Sequence, residues 1–291
     1  IAAVPEGLPI VATIALARGM WLMARRNALV NRLTAVETLG STSVIFTDKT
    51  GTLTENRMRL RTVVTPDAAE TVEDENSIPL SSGSSEKPET IVRLLRIGAL
   101  CSNVRPAEDD PTELLGDPTE VALVKGAAAF GIDRQELLKD CPEQLEVPFS
   151  SERMMMATVH REEPESDRSR LYVAVKGAPN EILQACTAIL QNGAAQELSD
   201  SERDSWNRRA DELAGQGYRL LAFAEKYTDG EVEEPYDQLV FVGLAGLEDP
   251  PREEVRESIE ACRNAGIRVV MVTGDRPDTG SAIAVRVGLD A

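Results

Sequence analysis

Aromatic residues make up only 4% of this 291-residue chain, and it holds a single histidine, four cysteines and no Cys-x-x-Cys pair. Neither a zinc ribbon nor a dithiol redox motif fits that count. Cys101, Cys141, Cys186 and Cys262 stand far apart, which suits free thiols in a reducing compartment. Basic character is scarce too: the formal net charge is -18. A surface of that sign excludes non-specific nucleic-acid binding, and an anionic nucleotide would have to be met by local cations. No apolar run reaches the roughly twenty residues that span a bilayer. The nearest, residues 1–16, is apolar almost throughout apart from Glu6.

What is present suffices for two packed domains, since 42% of the residues are apolar. Residues 1–16 read as part of a membrane helix, and Arg18, Arg25, Arg26 and Arg32 behind them mark a cytoplasmic flank. A buried helix of a soluble domain is the alternative. The chain begins without Met and reads as a segment of a longer protein. Val44 to Thr47 is expected to be a buried strand, and Ile267 to Thr273 a second one. A helix is expected from Pro250 to Asn264, with proline and acids early and Arg263 late. That order suits a parallel, doubly wound sheet, interrupted by about two hundred residues of something else.

The interruption opens with Thr65 to Thr90, a Ser-, Glu-, Asp- and Pro-rich loop. Helical spacing follows at Ile91 to Cys101, at Pro118 to Phe130 with Asp117 as N-cap and Glu120 at N3, and at Asp200 to Gly215 behind the capping-box string Ser199-x-x-Glu202. Strand-like runs are Met154 to His160, Leu171 to Lys176, Arg219 to Ala224 and Leu239 to Leu244. These describe helices with an antiparallel sheet.

Three groups of residues could carry chemistry. Asp48 opens the string Asp48-Lys49-Thr50-Gly51-Thr52-Leu53-Thr54 directly behind a strand, where a carboxylate is placed to attack a phosphoryl group. Thr273-Gly274-Asp275 ends the second strand, so the two strand ends would converge on one pocket. In the insert, a hairpin of Met154 to His160 with Leu171 to Lys176, turning around Glu163 to Asp167, would bring Phe149, Arg153 and Lys176 to one open end. A ring and cations there suit adenine stacking and phosphate attraction. At the start of the chain, Pro5-Glu6-Gly7-Leu8-Pro9 would unwind a membrane helix and add the carboxylate of Glu6, a functional-site candidate by default.

The heptapeptide resembles the phosphorylation signature of the P-type cation-transporting ATPases, and the resemblance extends over nearly the whole chain with its motifs in family order. It implies Asp48 as the residue phosphorylated by ATP, Lys49 as its charge partner, and Mg²⁺ held by Asp48 and the Thr50 carbonyl. It implies Thr273, Gly274 and Asp275 around the transferred group, although Thr279-Gly280 departs slightly from the usual continuation. Lys176 with Gly177, Phe149, Arg153, Glu120 and Arg219 would face the nucleotide, with Met154 where some relatives carry Lys. Asp249 would mark the hinge beside the nucleotide. Glu6 would belong to a transported-cation site, of calcium first and sodium or potassium next. Thr50, where related soluble phosphatases place a second Asp as acid and base, argues for a retained phosphoenzyme.

The implied fold is a haloacid-dehalogenase-like parallel sheet, split by an inserted α+β nucleotide-binding domain. Residues 1–24 would be the membrane-helix end, 25–60 the first part of the phosphorylation domain, 61–246 the insert, and 247–291 the hinge and second part. The parent would be a monomeric, multi-pass membrane protein with most of this segment in the cytoplasm. Two other readings stay open: a soluble haloacid-dehalogenase-type phosphohydrolase, and a nucleotide-binding module that performs no chemistry.

Overall fold

A computed structural model describes residues 7–72, 88–110, 113–161, 170–230, 232–274 and 277–289. Glu6, Asp275, the turn expected around Glu163 to Asp167 and residues 73–87 of the polar segment lie outside the described residues. Helix α1 (Leu8–Ala24) starts where the Pro-Glu-Gly-Leu-Pro string ends, with Gly7 as N-cap and Pro9 in the first turn, where the missing N–H costs no helical bond. None of its 17 residues is buried, and at 1.5 Å per residue it is about 25 Å long. No helix among the described residues is long and apolar enough to cross a membrane.

After α2 (Leu33–Gly40) the chain forms β1 (Val44–Asp48). The strand is found as expected, but it is not buried: Phe46 is 72% exposed. Its described sheet has only one other member, so both of its faces stay open. Beyond β1 comes one wide turn, Lys49–Leu53, and the long insert. The insert runs β2 (Arg59–Val64), β3 (Ala69–Thr71), α3 (Glu89–Leu100), the short ribbon β4 (Arg105–Pro106) and β5 (Leu114–Leu115), α4 (Pro118–Ala129), α5 (Arg134–Asp140) and β6 (Glu143–Ser150). It continues through β7 (Met155–Arg161), β8 (Arg170–Gly177), α6 (Pro179–Ala185), β9 (Cys186–Gln191), β10 (Ala194–Glu197), α7 (Asp200–Gly215), β11 (Arg219–Asp229) and β12 (Leu239–Glu248). The chain then returns through α8 (Val255–Asn264), β13 (Arg268–Val272) and α9 (Pro277–Val287).

Nine of the insert's eleven described strands form one sheet, ordered β10-β9-β12-β11-β8-β7-β6, with β2 also on β12 and β3 on β2, while β4 and β5 pair only with each other. Its pairs are antiparallel except β9 with β12, which run parallel. Helices cover both faces, and strand alternation assigns the side chains to them. Tyr172, Ala174 and Phe223 join Ile91, Leu94 and Leu123 from α3 and α4 in one core. Val173, Val175 and Ala222 join Ile182, Leu183 and Leu213 from α6 and α7 in the other. Such double burial explains why β7 and β8 read as nearly continuous apolar runs.

Two further expectations need correction. The polar loop from Thr65 to Thr90 is shorter than read, because the Thr65 hydroxyl accepts from Ala68 N at 3.1 Å and turns the chain into β3. Helix α8 begins at Val255 rather than Pro250. Pro250 and Pro251 stay extended, with Glu55 N donating to Pro250 O and Arg252 N to Leu53 O, since a residue before proline avoids helical angles. In this return segment β13 lies parallel to β1, and Leu53 packs with Val255, Ile259, Ile283 and Val287 from α8 and α9.

Candidate functional site

The heptapeptide builds its own loop. Gly51 takes φ +75°, which side-chain-bearing residues rarely adopt, and the turn closes with Thr54 N donating to Lys49 O at 3.1 Å. Thr54 is fully buried. Its hydroxyl donates to the Asp249 carboxylate and accepts from Gly51 N. Asp249 also accepts from Arg57 N at 3.0 Å, so the carboxylate expected beside the nucleotide binds the outgoing chain to the returning one. Asp48 and Thr50 are left exposed on this loop, and Lys49 is buried.

Parallel pairing sets Asp48 opposite Val272, so Thr273 is the next residue along the neighbouring strand. Parallel strands lie about 4.8 Å apart, and the two expected phosphate-side residues therefore meet at one sheet edge. A Cβ built at Gly280 would lie 3.3 Å from Thr273 Cγ2. The Thr279-Gly280 departure thus leaves room beside the Thr273 side chain.

A cleft of about 750 Å³ opens between this edge and the insert. Lys49, Thr50 and Thr279 line one side; Asp117 to Thr119, Ala178 to Glu181, Tyr218 and Arg219 line the other, with Glu248 and Asp249 where the chain crosses. Arg219 makes no ion pair with any described residue. Thr119, Asn180, Glu181 and Asp211 were not singled out in the sequence. The prolines at the first positions of α4 and α6 signal two helix starts but not that both face one cleft.

Lys176, Glu120, Phe149 and Arg153 do not line this cleft. Lys176 and Glu120 meet each other: Nζ lies 2.5 Å from Oε1, with the side chains 8% and 13% exposed. Alternation along β8 turns Lys176 toward α4, where Glu120 also accepts from Asn103 N at 2.9 Å. Glu120 therefore does not cap its own helix; Asp117 caps it by accepting from Thr119 N. Cys101 sits close by, and burial pushes its thiol up to about 11 despite the opposing charge of Lys176. The thiol stays neutral, and Glu120 is the carboxylate that balances the ammonium.

Gly177 is required where it is. A Cβ there would fall 2.5 Å from Met154 O, in the turn that carries Arg153. Phe149 is 58% exposed on edge strand β6. Arg153 is held by Glu234 at 3.2 Å and stacks on Tyr236. No group of three or more His, Cys, Asp or Glu among the described residues could hold a metal. The Asp48 carboxylate and Thr50 carbonyl offer two hard oxygens, a partial set suited to a magnesium ion that takes its other ligands from phosphate and water.

Comparison with known proteins identifies the family. The sodium/potassium-transporting ATPase subunit alpha of Hydra vulgaris is 38% identical over 314 residues, covering 99% of this chain and 30% of that protein. Calcium-transporting ATPase 1 of Bacillus cereus is 37% identical over 292 residues, covering 99% and 31%. Potassium-transporting ATPase alpha chain 2 of Oryctolagus cuniculus is 37% identical over 310 residues, covering 99% and 28%. The chain thus spans about 30% of the length of the relatives it matches. A family model described as P-type ATPase, cytoplasmic domain N, matches residues 90–254, more than half of the sequence, and the chain belongs to that family.

Proposed function

We propose that this chain carries the nucleotide-binding and phosphorylation portion of an ATP-driven cation pump, and that Asp48 receives the γ-phosphoryl group. The observation that carries the reading is the meeting of Asp48 and Thr273 at adjacent parallel strand ends, beside a cleft walled by the insert. Residues 25–60 and 247–291 form the phosphorylation domain, a split haloacid-dehalogenase-like fold, and residues 61–246 present the nucleotide. Residues 1–24 belong to a membrane helix of the parent, with Glu6 toward the transported cation.

In the transfer, an Asp48 carboxylate oxygen bonds to the γ-phosphorus and the bond to the β–γ bridging oxygen breaks. ADP leaves with that electron pair. Lys49, Thr273 and Gly274 hold the charge on the moving group, and Asp275 stands beside it. Such catalysis is mostly positioning and electrostatics. The cleft's acids, Asp117, Glu181, Asp211, Glu248 and Asp249, outnumber Lys49 and Arg219, so a bare triphosphate would be repelled. Asp48 and the Thr50 carbonyl would hold Mg²⁺, which would supply the neutralising charge. Lys176, Gly177, Phe149 and Arg153 serve the base end, with Glu120 setting the Lys176 ammonium. Thr50 supplies no base for rapid hydrolysis, which favours a persisting acyl phosphate over a soluble phosphohydrolase. The relatives are named for sodium/potassium, calcium and potassium transport; calcium remains the first choice here.

Calorimetry tests the nucleotide side. Losing a hydrogen bond to a charged group costs about 1.5–3 kcal/mol, so Lys176→Ala should weaken ATP binding about tenfold or more, while Asp48→Asn leaves it intact and removes acid-stable labelling by γ-labelled ATP. Equal affinity in wild type and Lys176→Ala would sink the pocket assignment. Binding without any label transfer would instead favour the nucleotide-binding module.

A further inference from the structure

Two strands, β2 outgoing and β12 returning, join the insert to the β1/β13 unit, and a connection that narrow permits rotation. A charged cluster stands at this crossing. Glu248, the last residue of β12, has a side chain only 5% exposed. It accepts from Arg61 Nε on β2 at 2.5 Å and from Arg286 Nη1 on α9 at 2.5 Å. Arg286 also donates to Gln216 O at 3.3 Å and lies 5.9 Å from the centre of the Tyr218 ring. Beside it Gly217, at φ +93°, lets α9 approach so closely that a Cβ there would stand 3.0 Å from Ala282 Cβ.

Arg61 already neutralises Glu248 from within the insert's own sheet. The second guanidinium is therefore surplus to the insert, and what it adds is a bond between units. Charge-assisted bonds of this kind are short, directional and, when half-buried, poorly screened by salt. We propose that Arg61, Glu248 and Arg286 form a latch that holds α9 against the α7–β11 turn, and so fixes the angle at which the nucleotide-facing wall meets Asp48. The consequence for transfer rests on the function proposed above; the latch itself needs no nucleotide.

Pulsed electron-spin distance measurements on the whole chain test it. Labels are placed at exposed positions on β10 and α8 through Glu197→Cys and Glu260→Cys, with Cys262→Ser. Nucleotide-free protein carrying Arg286 should give one narrow distance. Arg286→Met should lose the narrow peak for a broad distribution reaching longer distances, with the insert's circular dichroism unchanged, because Arg61 still pairs with Glu248. Arg286→Lys, which keeps a charged donor, should restore the peak, and Glu248→Gln should lose it. An Arg286→Met distribution identical to wild type would overturn the latch. Failure of the unmodified chain to bind ATP would overturn the function proposed above, and the latch would still be decided by the distances.

Discussion

Gly177 shows how a three-atom difference can fix a site. Strand β8 could accept alanine on its own account, but the Met154 carbonyl occupies the space a Cβ needs, 2.5 Å away. Met154 itself holds φ +52°, a left-handed conformation uncommon for its type. Gly177→Ala must push the 150–154 turn outward, and overpacking of this sort costs about 1–3 kcal/mol. Urea denaturation should show that loss together with weaker ATP binding; unchanged stability would mean the turn yields freely. The buried Lys176 teaches a related point. A lone lysine before a turn ordinarily reads as solvated, yet this one lies against Glu120 because strand alternation aims it at α4.

Among the elements, α4 starts at Pro118 behind its Asp117 cap as expected, and α7 starts behind a complete capping box. The Ser199 hydroxyl accepts from Glu202 N, while the Glu202 carboxylate accepts from Ser199 N at 2.9 Å. Removing such a cap costs about 1 kcal/mol, so Ser199→Ala should lower the unfolding midpoint of the insert measurably in a thermal melt. No change would show that tertiary packing alone holds the helix end. Strands β9 and β10 carry a local signal too: Asn192 and Gly193, both at positive φ, make the tight turn that joins antiparallel strands. Strand β2 offered less, since nothing in Arg59–Val64 says that it pairs with residues 244–248.

For the molecule as a whole, burial of both faces of the nine-stranded sheet makes one buried group, His160, a contributor to its response to pH. His160 is fully buried, with one ring nitrogen 3.1 Å from Cys141 O and the other 2.8 Å from the Thr158 hydroxyl. Burial lowers its pKa to about 4, the Cys141 carbonyl opposes, and Arg134 and Arg96 push further down. The unfolded chain takes up this proton near pH 6.5, earlier than the folded one, so stability is full above that value and falls as pH drops toward 4. Linkage puts the loss at about 2 kcal/mol between pH 7 and pH 5. Denaturant titrations at the two pH values should show it, and His160→Gln should flatten the difference; equal slopes in both proteins would exclude His160 as the source.

Local order in the chain determined the chemistry-bearing strings and most of the periodic elements. A heptapeptide behind a strand, proline and acid at helix starts, and a capping box act through neighbours a few residues away, and such effects are written in sequence. Tertiary structure alone decided which of those pieces meet. Asp48 and Thr273 stand side by side because β1 and β13 pair in one particular register across more than two hundred residues. Lys176 lies on Glu120 rather than in the large cleft because a covered sheet face leaves its charge no nearer partner. Thr54, Asp249, Glu248 and Arg286 tie the crossing together through contacts between distant segments, and no periodicity or motif records contacts of that kind.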